Sequence, residues 1–466
     1  MTRTMRQQKQ AGRNGTTGRN ATAAATLRRV QIGNALSAFG SGFTVPYMFV
    51  YVDEVRGLGS MTAWLMFTVF ALAALVVLPF SGRGIDRYGP RPVLVAGAVV
   101  SALGAFAFGH ATGTPHILAS AFLFGAGVTT VQPALATMIV RCSTPATRSH
   151  AFAMQFTLVN LGMGVGAMIG GQIVDVHHPS SLTLLFTIEA LMFLVLAAVT
   201  GGVRIPAAAV VPAVAVDGAA GPEQRAPRSD LRTLLGDKAM ISVCVLAALI
   251  FFTCYGQFES GVAAYGTSVV GISPAMLGFA LGANTLAIVL LQMIVVRITA
   301  RRRRSTAIAA TGAVWLAAWA AAGIAGLIRS DAMIATVAMI SVYVLFGVGE
   351  ALLAPTLGPI VADLAPGRLL GSYNAAFALV KQLAVAMGPA AGVLLVGAGL
   401  SGPYLLVMIG CTVLIMALAL RLRRRLTPLQ DNAVRSEHVL RGAGDEVPAE
   451  VPAGAVRSVP ELQHAG

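Results

Sequence analysis

The chain has 466 residues, of which 56% are hydrophobic and only 11% are charged, and its formal net charge is +14. Soluble domains carry about 25% charged residues, so this composition excludes an ordinary soluble protein. The basic residues are spread over short segments between apolar runs, which argues against a nucleic-acid-binding domain with one basic surface.

Twelve apolar runs are each long enough, at about 20 residues, to cross a bilayer as a helix. These spans are predicted at 30–52, 61–81, 92–111, 116–140, 150–173, 181–203, 239–265, 273–297, 304–328, 332–361, 370–395 and 401–421. The chain then divides into a basic disordered arm (1–29), a six-helix bundle (30–203), a linker (204–238), a second six-helix bundle (239–421) and a disordered tail (422–466). The sequence predicts an all-α membrane protein.

The arginines give the orientation of the spans. Runs of arginine follow span 8 (301–304) and span 12 (423–425), and the N-terminal arm is also basic, whereas the loops on the other side hold only Arg56 and Arg329. Cytoplasmic loops retain Lys and Arg, so both termini are predicted to be cytoplasmic in a multi-pass protein of the cell membrane. The excess of arginine over lysine and the abundance of alanine and glycine suggest a bacterial source.

The two sets of six spans repeat one another. A motif of Phe, Gly, any residue and Gly, followed by a proline, occurs in spans 4 and 10 at an offset of 222 residues, and paired glycines of spans 5 and 11 share that offset. The matching pairs are Gly125 and Gly347, Pro133 and Pro355, Gly166 and Gly388, and Gly170 and Gly392. A common offset at two helix pairs predicts two bundles related as a parallel repeat.

The segment between spans 2 and 3, residues 82–91, reads Gly-Arg-Gly-Ile-Asp-Arg-Tyr-Gly-Pro-Arg and is predicted to be a charged turn. It resembles the signature loop of the major facilitator superfamily, Gly-x-x-x-Asp-Arg-x-Gly-x-Arg, with Pro90 at a site that is usually basic. This resemblance implies twelve helices in two bundles, with substrate bound between them near the midplane. It also implies a conformational latch formed by Gly82, Asp86, Arg87, Gly89 and Arg91.

In that family the acid of the loop meets the N-terminus of helix 11 in the outward-facing state. Here the matching contact is between Asp86 and the free N–H groups near Gly371 and Ser372. Arg87 and Arg91 are expected to steer the acid. The alternative is a turn that only retains positive charge on the cytoplasmic side.

Span 5 carries Gly162, Gly166, Gly170 and Gly171, and span 11 carries Gly388, Pro389 and Gly392. The span 5 pattern resembles the motif of drug:proton antiporters, Gly-x-x-x-Gly-Pro-x-x-Gly-Gly, with Ala167 in place of the proline. By this resemblance the glycine groove lies between the two halves and seals the external side. The alternative is ordinary packing of small residues.

Few charged residues lie inside the spans, where each costs roughly 2.5–3.5 kcal/mol on insertion scales. Glu350 in span 10 and Lys381 in span 11 lie at similar depths and could pair, with protonation of Glu350 breaking the pair. The alternative is a static ion pair. Glu259 in span 7 is a further proton-coupling candidate or simply reaches towards water, and Glu189 in span 6 is expected to be structural.

Spans 1, 4, 7 and 10 line the substrate cavity in the family. The polar and aromatic candidates on these spans are Asn34, Tyr47, Gln132, Tyr255 and Gln257. Ala121 stands where the antiporter pattern has an arginine, so the proton chemistry is predicted to lie in the second half.

These features predict a secondary transporter that exports a small amphipathic compound in exchange for protons and functions as a monomer in the lipid bilayer. The alternatives are proton-coupled uptake of a small nutrient such as a sugar or organic acid and, more distantly, a membrane receptor that does not transport. The sequence shows no cluster of acid, base and nucleophile, no metal-ligand spacing among its cysteines and histidines, and no phosphate-binding glycine loop. We therefore expect no enzyme activity, no metal and no cofactor.

Overall fold

The computed structural model describes residues 2–175, 177–203, 230–258 and 260–432. Within them, twelve helices are long and apolar enough to cross a membrane, which confirms the predicted number. In chain order they are α1 (Thr22–Val55), α2 (Ser60–Tyr88), α3 (Pro90–His110), α4 (Thr114–Arg141), α5 (Pro145–Ile173), α6 (Pro179–Gly202), α7 (Lys238–Phe258), α8 (Met276–Thr299), α9 (Arg304–Leu327), α10 (Ala332–Leu364), α11 (Gly367–Gly397) and α12 (Ser401–Leu422).

Local signals in the sequence determine where these helices begin. α3, α5 and α6 each begin at a proline, whose fixed φ suits the first helical position and whose missing N–H is not needed there. Asp237 caps α7, and its carboxylate accepts backbone N–H bonds at 2.9 and 3.0 Å. Asp331 caps α10 in the same way, with both bonds at 3.1 Å. Capping satisfies N–H groups that have no partner inside the helix.

Each half of the chain has its own hydrophobic core. Phe108 and Phe186 belong to the core of α1–α6, and Trp315 and Trp319 belong to that of α7–α12. Large apolar side chains also cover the outer surface; Leu327, for example, is 85% exposed. Such exposure would be unfavourable in water but is the expected surface towards lipid. The fold is therefore two packed six-helix bundles in a membrane.

The repeated motif glycines have the same packing role in both halves. In α4, Gly125 lies against α2 and Gly127 lies against α3. In α10, Gly347 lies against α8 and Gly349 lies against α9. Because α8 and α9 are the repeat equivalents of α2 and α3, each motif lets three equivalent helices approach closely. This packing agrees with the parallel repeat predicted from the 222-residue offset.

The first helix of each half also loses its regular geometry in the same manner. In α1 the regular helix ends at Thr44, a tight turn of 3₁₀ helix covers Val45–Tyr47, and a π-helical turn covers Tyr51–Val55. In the second half the regular helix of α7 ends at Thr253, and a π-helical turn at Gly266–Val270 follows. π-helical turns interrupt the regular hydrogen-bond ladder and are frequent at functional sites.

Two segments of the first half that we expected to be irregular are largely helical. The helix that contains α1 begins at Thr2, so it includes most of the arm (1–29) that we predicted to be disordered. That arm contains no proline that would stop a helix extending from α1. The predicted turn at residues 82–91 is mostly the last part of α2, which ends at Tyr88. Only Gly89, with φ +86°, makes the turn before α3.

The predicted linker and tail are also partly ordered. Asp230–Gly236 forms a short helix before α7, and residues 204–229 lie outside the described part of the chain. After α12, Pro428–Asp431 forms a short helix, although we predicted a disordered tail from residue 422 onwards. Asp431 is buried there because its carboxylate bonds to the start of α9, an interaction that the composition of the tail does not reveal.

Candidate functional site

Glu350 of α10 lies in the interior of the second half and is 5% exposed. Its Oε1 accepts a hydrogen bond from Nδ2 of Asn284 in α8 at 3.2 Å, and the same amide donates to the Tyr343 carbonyl at 3.1 Å. The close approach of α8 depends on Gly347, because a Cβ there would lie 2.7 Å from the Asn284 carbonyl oxygen. The motif glycine of α10 therefore brings an amide donor to the buried acid.

Lys381 of α11 does not form the direct ion pair with Glu350 that we considered. Within the described residues, the ion pairs do not include these two side chains, and Lys381 Nζ lies 5.2 Å from the centre of the Phe251 ring. The Tyr255 hydroxyl hydrogen-bonds to the Glu350 carboxyl group, and the charge of Lys381 acts on that group through space. The two charges thus share one region without contact, because Asn284 bonds to the carboxyl group and an aromatic face receives the ammonium group.

The three candidate site residues predicted on span 7 lie in different surroundings. Tyr255 is partly buried and faces Glu350, so it remains a candidate for the site. Gln257 is fully buried and does not face a cavity: its amide donates to the Gly388 carbonyl at 3.1 Å and accepts from the Tyr404 hydroxyl at 3.2 Å. A buried amide needs such partners, so Gln257 joins α7 to α11 and α12. Glu259 lies outside the described residues.

The substrate-cavity candidates in the first half differ in how exposed their side chains are. Gln132 of α4 is exposed, as a residue that meets substrate must be, and Tyr47 of α1 is partly exposed with its hydroxyl close to Gly171 of α5. Asn34, in contrast, is 5% exposed, and its side-chain oxygen is 3.5 Å from the Ser37 hydroxyl within α1. Asn34 is therefore part of the packing of α1 and not of an open cavity surface.

The glycines of α5 and α11 do not lie between the two halves as we expected. Gly162 and Gly166 of α5 face the backbone of α1, and a Cβ on Gly170 would lie 3.1 Å from Cα of Phe43 in α1. In α11, Gly388 and Gly392 face α7 in the same manner. Each groove therefore joins two helices within one half, which is the packing alternative.

Asp86, at the end of α2, contacts the N-terminus of α11 in the other half. Its two carboxylate oxygens accept from the backbone N–H of Gly371 at 2.6 Å and of Ser372 at 2.8 Å, and the Ser372 hydroxyl donates at 2.5 Å. Gly82 makes this approach possible, since a Cβ there would lie 2.8 Å from Cβ of Ala375. The expected contact is present, and we call Asp86, Gly371 and Ser372 the Asp86 latch.

The arginines beside Asp86 point to other partners. The Arg87 guanidinium lies 5.3 Å from the centre of the Tyr88 ring. Arg91 donates to the Gly201 carbonyl at the end of α6. Arg91 thereby joins the start of α3 to α6 within the first half and helps to fix the turn that carries the Asp86 latch.

A second polar contact joins the halves at the same end of the bundle, and the sequence analysis did not identify it. Arg148 of α5 donates to Oδ1 of Asp363 in α10, and Arg304 of α9 donates to Oδ2 of Asp363 at 2.5 Å. Arg304 also donates to the Ser149 hydroxyl of α5 at 3.3 Å. We call Arg148, Asp363 and Arg304 the arginine bridge. The three side chains are 10%, 11% and 6% exposed, so they are nearly dry.

The segment after α12 packs against the arginine bridge. Arg304 donates to the Gln430 carbonyl at 2.8 Å, and Asp431 accepts from the backbone N–H and the hydroxyl of Ser305 at 2.8 and 2.9 Å. Asp431 thus caps α9 one residue after Arg304. The Asp86 latch and the arginine bridge both lie at the end where the arginine-rich segments occur, and we call it the arginine-rich end.

Glu189 of α6 is the second carboxyl group buried inside a bundle, and it is fully buried. Its Oε2 accepts from the Thr44 hydroxyl of α1 at 2.6 Å, while its Oε1 has no hydrogen-bond partner. The Ser41 hydroxyl also faces the carboxyl group. Within the described residues Glu189 forms no ion pair.

Comparisons with known proteins agree with this architecture. The sequence model of the Major Facilitator Superfamily matches residues 31–342 and 267–460, which together cover most of the chain. The chain therefore belongs to the major facilitator superfamily, and the resemblance seen at residues 82–91 is confirmed. It is a multi-pass membrane protein of that superfamily.

Curated relatives match over a limited part of the chain. Multidrug resistance protein 1 of Bacillus subtilis (strain 168) is 28% identical over 145 residues, which cover 31% of this chain and 37% of the relative. Quinolone resistance protein NorA of Staphylococcus aureus is 24% identical over 139 residues, 30% of this chain and 36% of the relative. The match spans little more than a third of each relative.

Solved structures match over most of the chain and show the fold. The transporter FucP, in its outward conformation, gives a TM-score of 0.66 at 15% identity and covers 87% of this chain and 100% of its own. A bacterial homologue of the iron transporter ferroportin, in its outward-facing state, gives a TM-score of 0.67 at 13% identity and covers 86% and 99%.

Proposed function

We propose that this protein is a secondary active transporter that exports a small amphipathic compound in exchange for protons by alternating access. The observation that carries the proposal is the buried Glu350, an acid inside a membrane bundle with a neutral donor on it and a lysine nearby. Intramembrane acids of this kind are typical of proton relays in transporters. The names of the bacterial relatives, which are multidrug and quinolone resistance proteins, support export as the direction.

Glu350 would work as the proton carrier because its surroundings can favour either of its charge states. Asn284 donates to the charged carboxylate, and Lys381 stabilises it from a distance. Burial favours the neutral acid, since the interior of a bundle solvates a charge poorly. If the halves rock and α11 carries Lys381 away from α10, the neutral acid is favoured, so proton uptake biases one conformation.

The contacts at the arginine-rich end supply the second conformational element. The Asp86 latch and the arginine bridge both join α1–α6 to α7–α12, so they hold this end of the transporter closed. Since arginine-rich loops are retained in the cytoplasm, the closed end is the cytoplasmic one and the state is outward-facing. Opening towards the cytoplasm requires both contacts to break.

Glu350→Gln tests the proposal. The glutamine keeps the shape and the hydrogen-bond acceptor but cannot release a proton. In everted membrane vesicles, we expect the variant to bind ethidium, a fluorescent lipophilic cation, and to lose the accumulation that is driven by a pH gradient. Glu54→Gln, at an exposed position near the far end of α1, is the matched control and should accumulate the dye like the wild type.

The direction of transport is read from the same vesicles. Uptake of ethidium into everted vesicles that are acidic inside corresponds to export from the cell in exchange for protons. Uptake into right-side-out vesicles along an inward proton gradient would instead support the nutrient-import alternative. A Glu350→Gln variant that still accumulates dye at the wild-type rate would show that proton coupling does not use this residue.

A further inference from the structure

The first half contains a buried acid, Glu189, that the proposed proton cycle does not use. Glu189 is fully buried in α6, has the Thr44 hydroxyl on Oε2 and has no partner on Oε1. A carboxylate that has only hydroxyl donors and no nearby cation would be costly in this environment. Burying the neutral acid costs less, because its O–H can donate to a threonine or serine hydroxyl. Such a hydroxyl can accept a hydrogen bond as well as donate one.

The groups that pack around Glu189 confirm that no charge compensates it. α6 packs mainly against α1 and α3. The polar groups that bond to the Glu189 carboxyl group are the hydroxyls of Thr44 and Ser41, both in α1. Two titratable groups of α1 bond elsewhere: the Tyr51 hydroxyl donates to the Gly109 carbonyl, and Arg56 donates to that hydroxyl. Within the described residues the site is thus one carboxyl group with hydroxyl partners only.

The Thr44 partner is also the point where α1 loses its regular geometry. The regular helix ends at Thr44, and Pro46 removes a backbone N–H from the following turn. Val45 and Pro46 are exposed immediately after the buried Thr44. Thr44 therefore links the buried acid to a turn with a weakened hydrogen-bond ladder, and such turns are the usual places for a helix to bend.

We propose that Glu189 is a second proton-binding site, and that movement of the α1 turn at Val45–Tyr47 opens it to water. In the structure described here the acid carries its proton and bonds to Thr44. When the turn moves, the Glu189 O–H transfers its proton to an entering water molecule, and the carboxylate that remains accepts from Thr44 and Ser41. The reverse transfer reloads the site. The part of this inference that concerns transport rests on the proposed proton coupling, whereas protonation of the site does not.

Infrared difference spectroscopy of the full chain in lipid vesicles tests the site directly, with the proton as the probe. The C=O stretch of a neutral carboxyl group should be present in the wild type, be lost in Glu189→Gln, and persist in Glu350→Gln. Its amplitude should fall as the buffer is changed from mildly acidic to mildly alkaline. Thr44→Val should slow the shift of this band after transfer to heavy water, since it removes the hydroxyl between the acid and the turn.

Transport measurements then distinguish proton binding at Glu189 from the proposed proton cycle of Glu350. With ethidium as the probe, Glu189→Gln should lower the number of protons exchanged per dye molecule by one, while the dye is still transported. A Glu189 band that neither titrates nor exchanges, in the wild type and in a variant with the Asp86 latch removed, would overturn the proposal and leave a static structural acid. If the band titrates while Glu350→Gln still pumps normally, the Glu189 site stands and the proposed Glu350 function fails.

Discussion

Each half of this transporter reaches the other half from equivalent positions, but with different chemistry. The first half extends the end of α2 to the N-terminus of α11, where the Asp86 carboxylate accepts hydrogen bonds from free backbone N–H groups. The second half extends the start of α9 and the end of α10 to the N-terminal part of α5, where Arg304 and Asp363 meet Arg148. The backbone framework repeats, whereas the polar groups on it do not.

The same contrast holds inside the bundles. Glycines of α4 and α10 have equivalent packing roles, and a π-helical turn ends α1 in the first half and follows α7 in the second. The buried acids differ: Glu350 has an amide, a phenol and a lysine near it, whereas Glu189 has hydroxyls. Packing positions need small residues in both halves because the backbones must approach closely, so the repeat persists there. Polar sites are free to diverge once each half performs a different task.

The comparison predicts that the arginine bridge is the stronger of the two cross-half contacts. Asp363→Asn leaves two nearly dry guanidinium groups, those of Arg148 and Arg304, without their carboxylate. Breaking a buried ion pair in this way costs about 3–5 kcal/mol, so the population closed at the arginine-rich end should fall relative to the open one by roughly a hundredfold or more. Spin-label distances between α5 and α9 at that end measure this shift.

The double variant Asp363→Asn with Arg148→Gln is the matched control for the bridge. It removes one of the two stranded charges, and a double-mutant cycle should show partial recovery of the closed population. If Asp363→Asn leaves the distance distribution unchanged, the bridge does not hold the two halves, and the Asp86 latch must hold them alone.

The Asp86 latch should show a smaller effect of the same sign. Asp86→Asn keeps one side-chain acceptor but loses the charge and one of the two oxygens that accept from Gly371 and Ser372. Hydrogen bonds to a charged group contribute about 1.5–3 kcal/mol, so the shift should be roughly tenfold to a hundredfold. The same spin-label distances, taken between α2 and α11, measure it.

Transport is the second readout for the latch. Ethidium accumulation should fall in Asp86→Asn while the amount of folded protein, measured by thermal unfolding in detergent, stays close to that of the wild type. Arg83→Gln, which alters the net charge of the same segment by removing an arginine close to the latch, is the control for a general effect on charge retention. Equal loss of transport in both variants would favour the alternative in which this segment only retains charge.

The sequence predicted the parts of this molecule that depend on position along the chain. The twelve spans follow from hydrophobic length, and the Asp86 contact follows from a motif in which the residue types define the partner. Whether Glu350 and Lys381 meet could not be predicted, because similar depth in two helices does not determine which way each side chain faces around its helix axis. The contacts of Gln257 with α11 and α12 could not be predicted for the same reason.

The arginine bridge was missed because its members are far apart in sequence and each has an ordinary local explanation. Arg148 and Arg304 are basic residues at helix starts, where the topology rule already accounts for them, and Asp363 is an acid at a helix end. Only the way in which the two bundles meet brings them together. The same applies to Glu189, whose uncompensated burial depends on what faces it from α1 and α3.

The smallest predicted effect concerns the short helix Pro428–Asp431 after α12, which bonds to the start of α9 in the second half. Asp431 caps α9 beside Arg304, and the first half has the Asp86 latch instead of such a cap.

Asp431→Ala should destabilise the cap by about 0.5–2 kcal/mol, since a backbone N–H and a hydroxyl lose their acceptor. Because Arg304 lies next to the capped residue, the bridge should loosen, and the closed population should fall several-fold at most. Asp431→Asn is the milder variant, because asparagine keeps one oxygen that can accept from the Ser305 N–H and an amide that can donate to the Ser305 hydroxyl, so its effect should be smaller than that of Asp431→Ala. Spin-label distances at the α5–α9 contact should then rank Asp363→Asn, Asp431→Ala and Asp431→Asn in decreasing order of effect. If Asp431→Ala lowered transport without changing those distances, the segment would act independently of the arginine bridge.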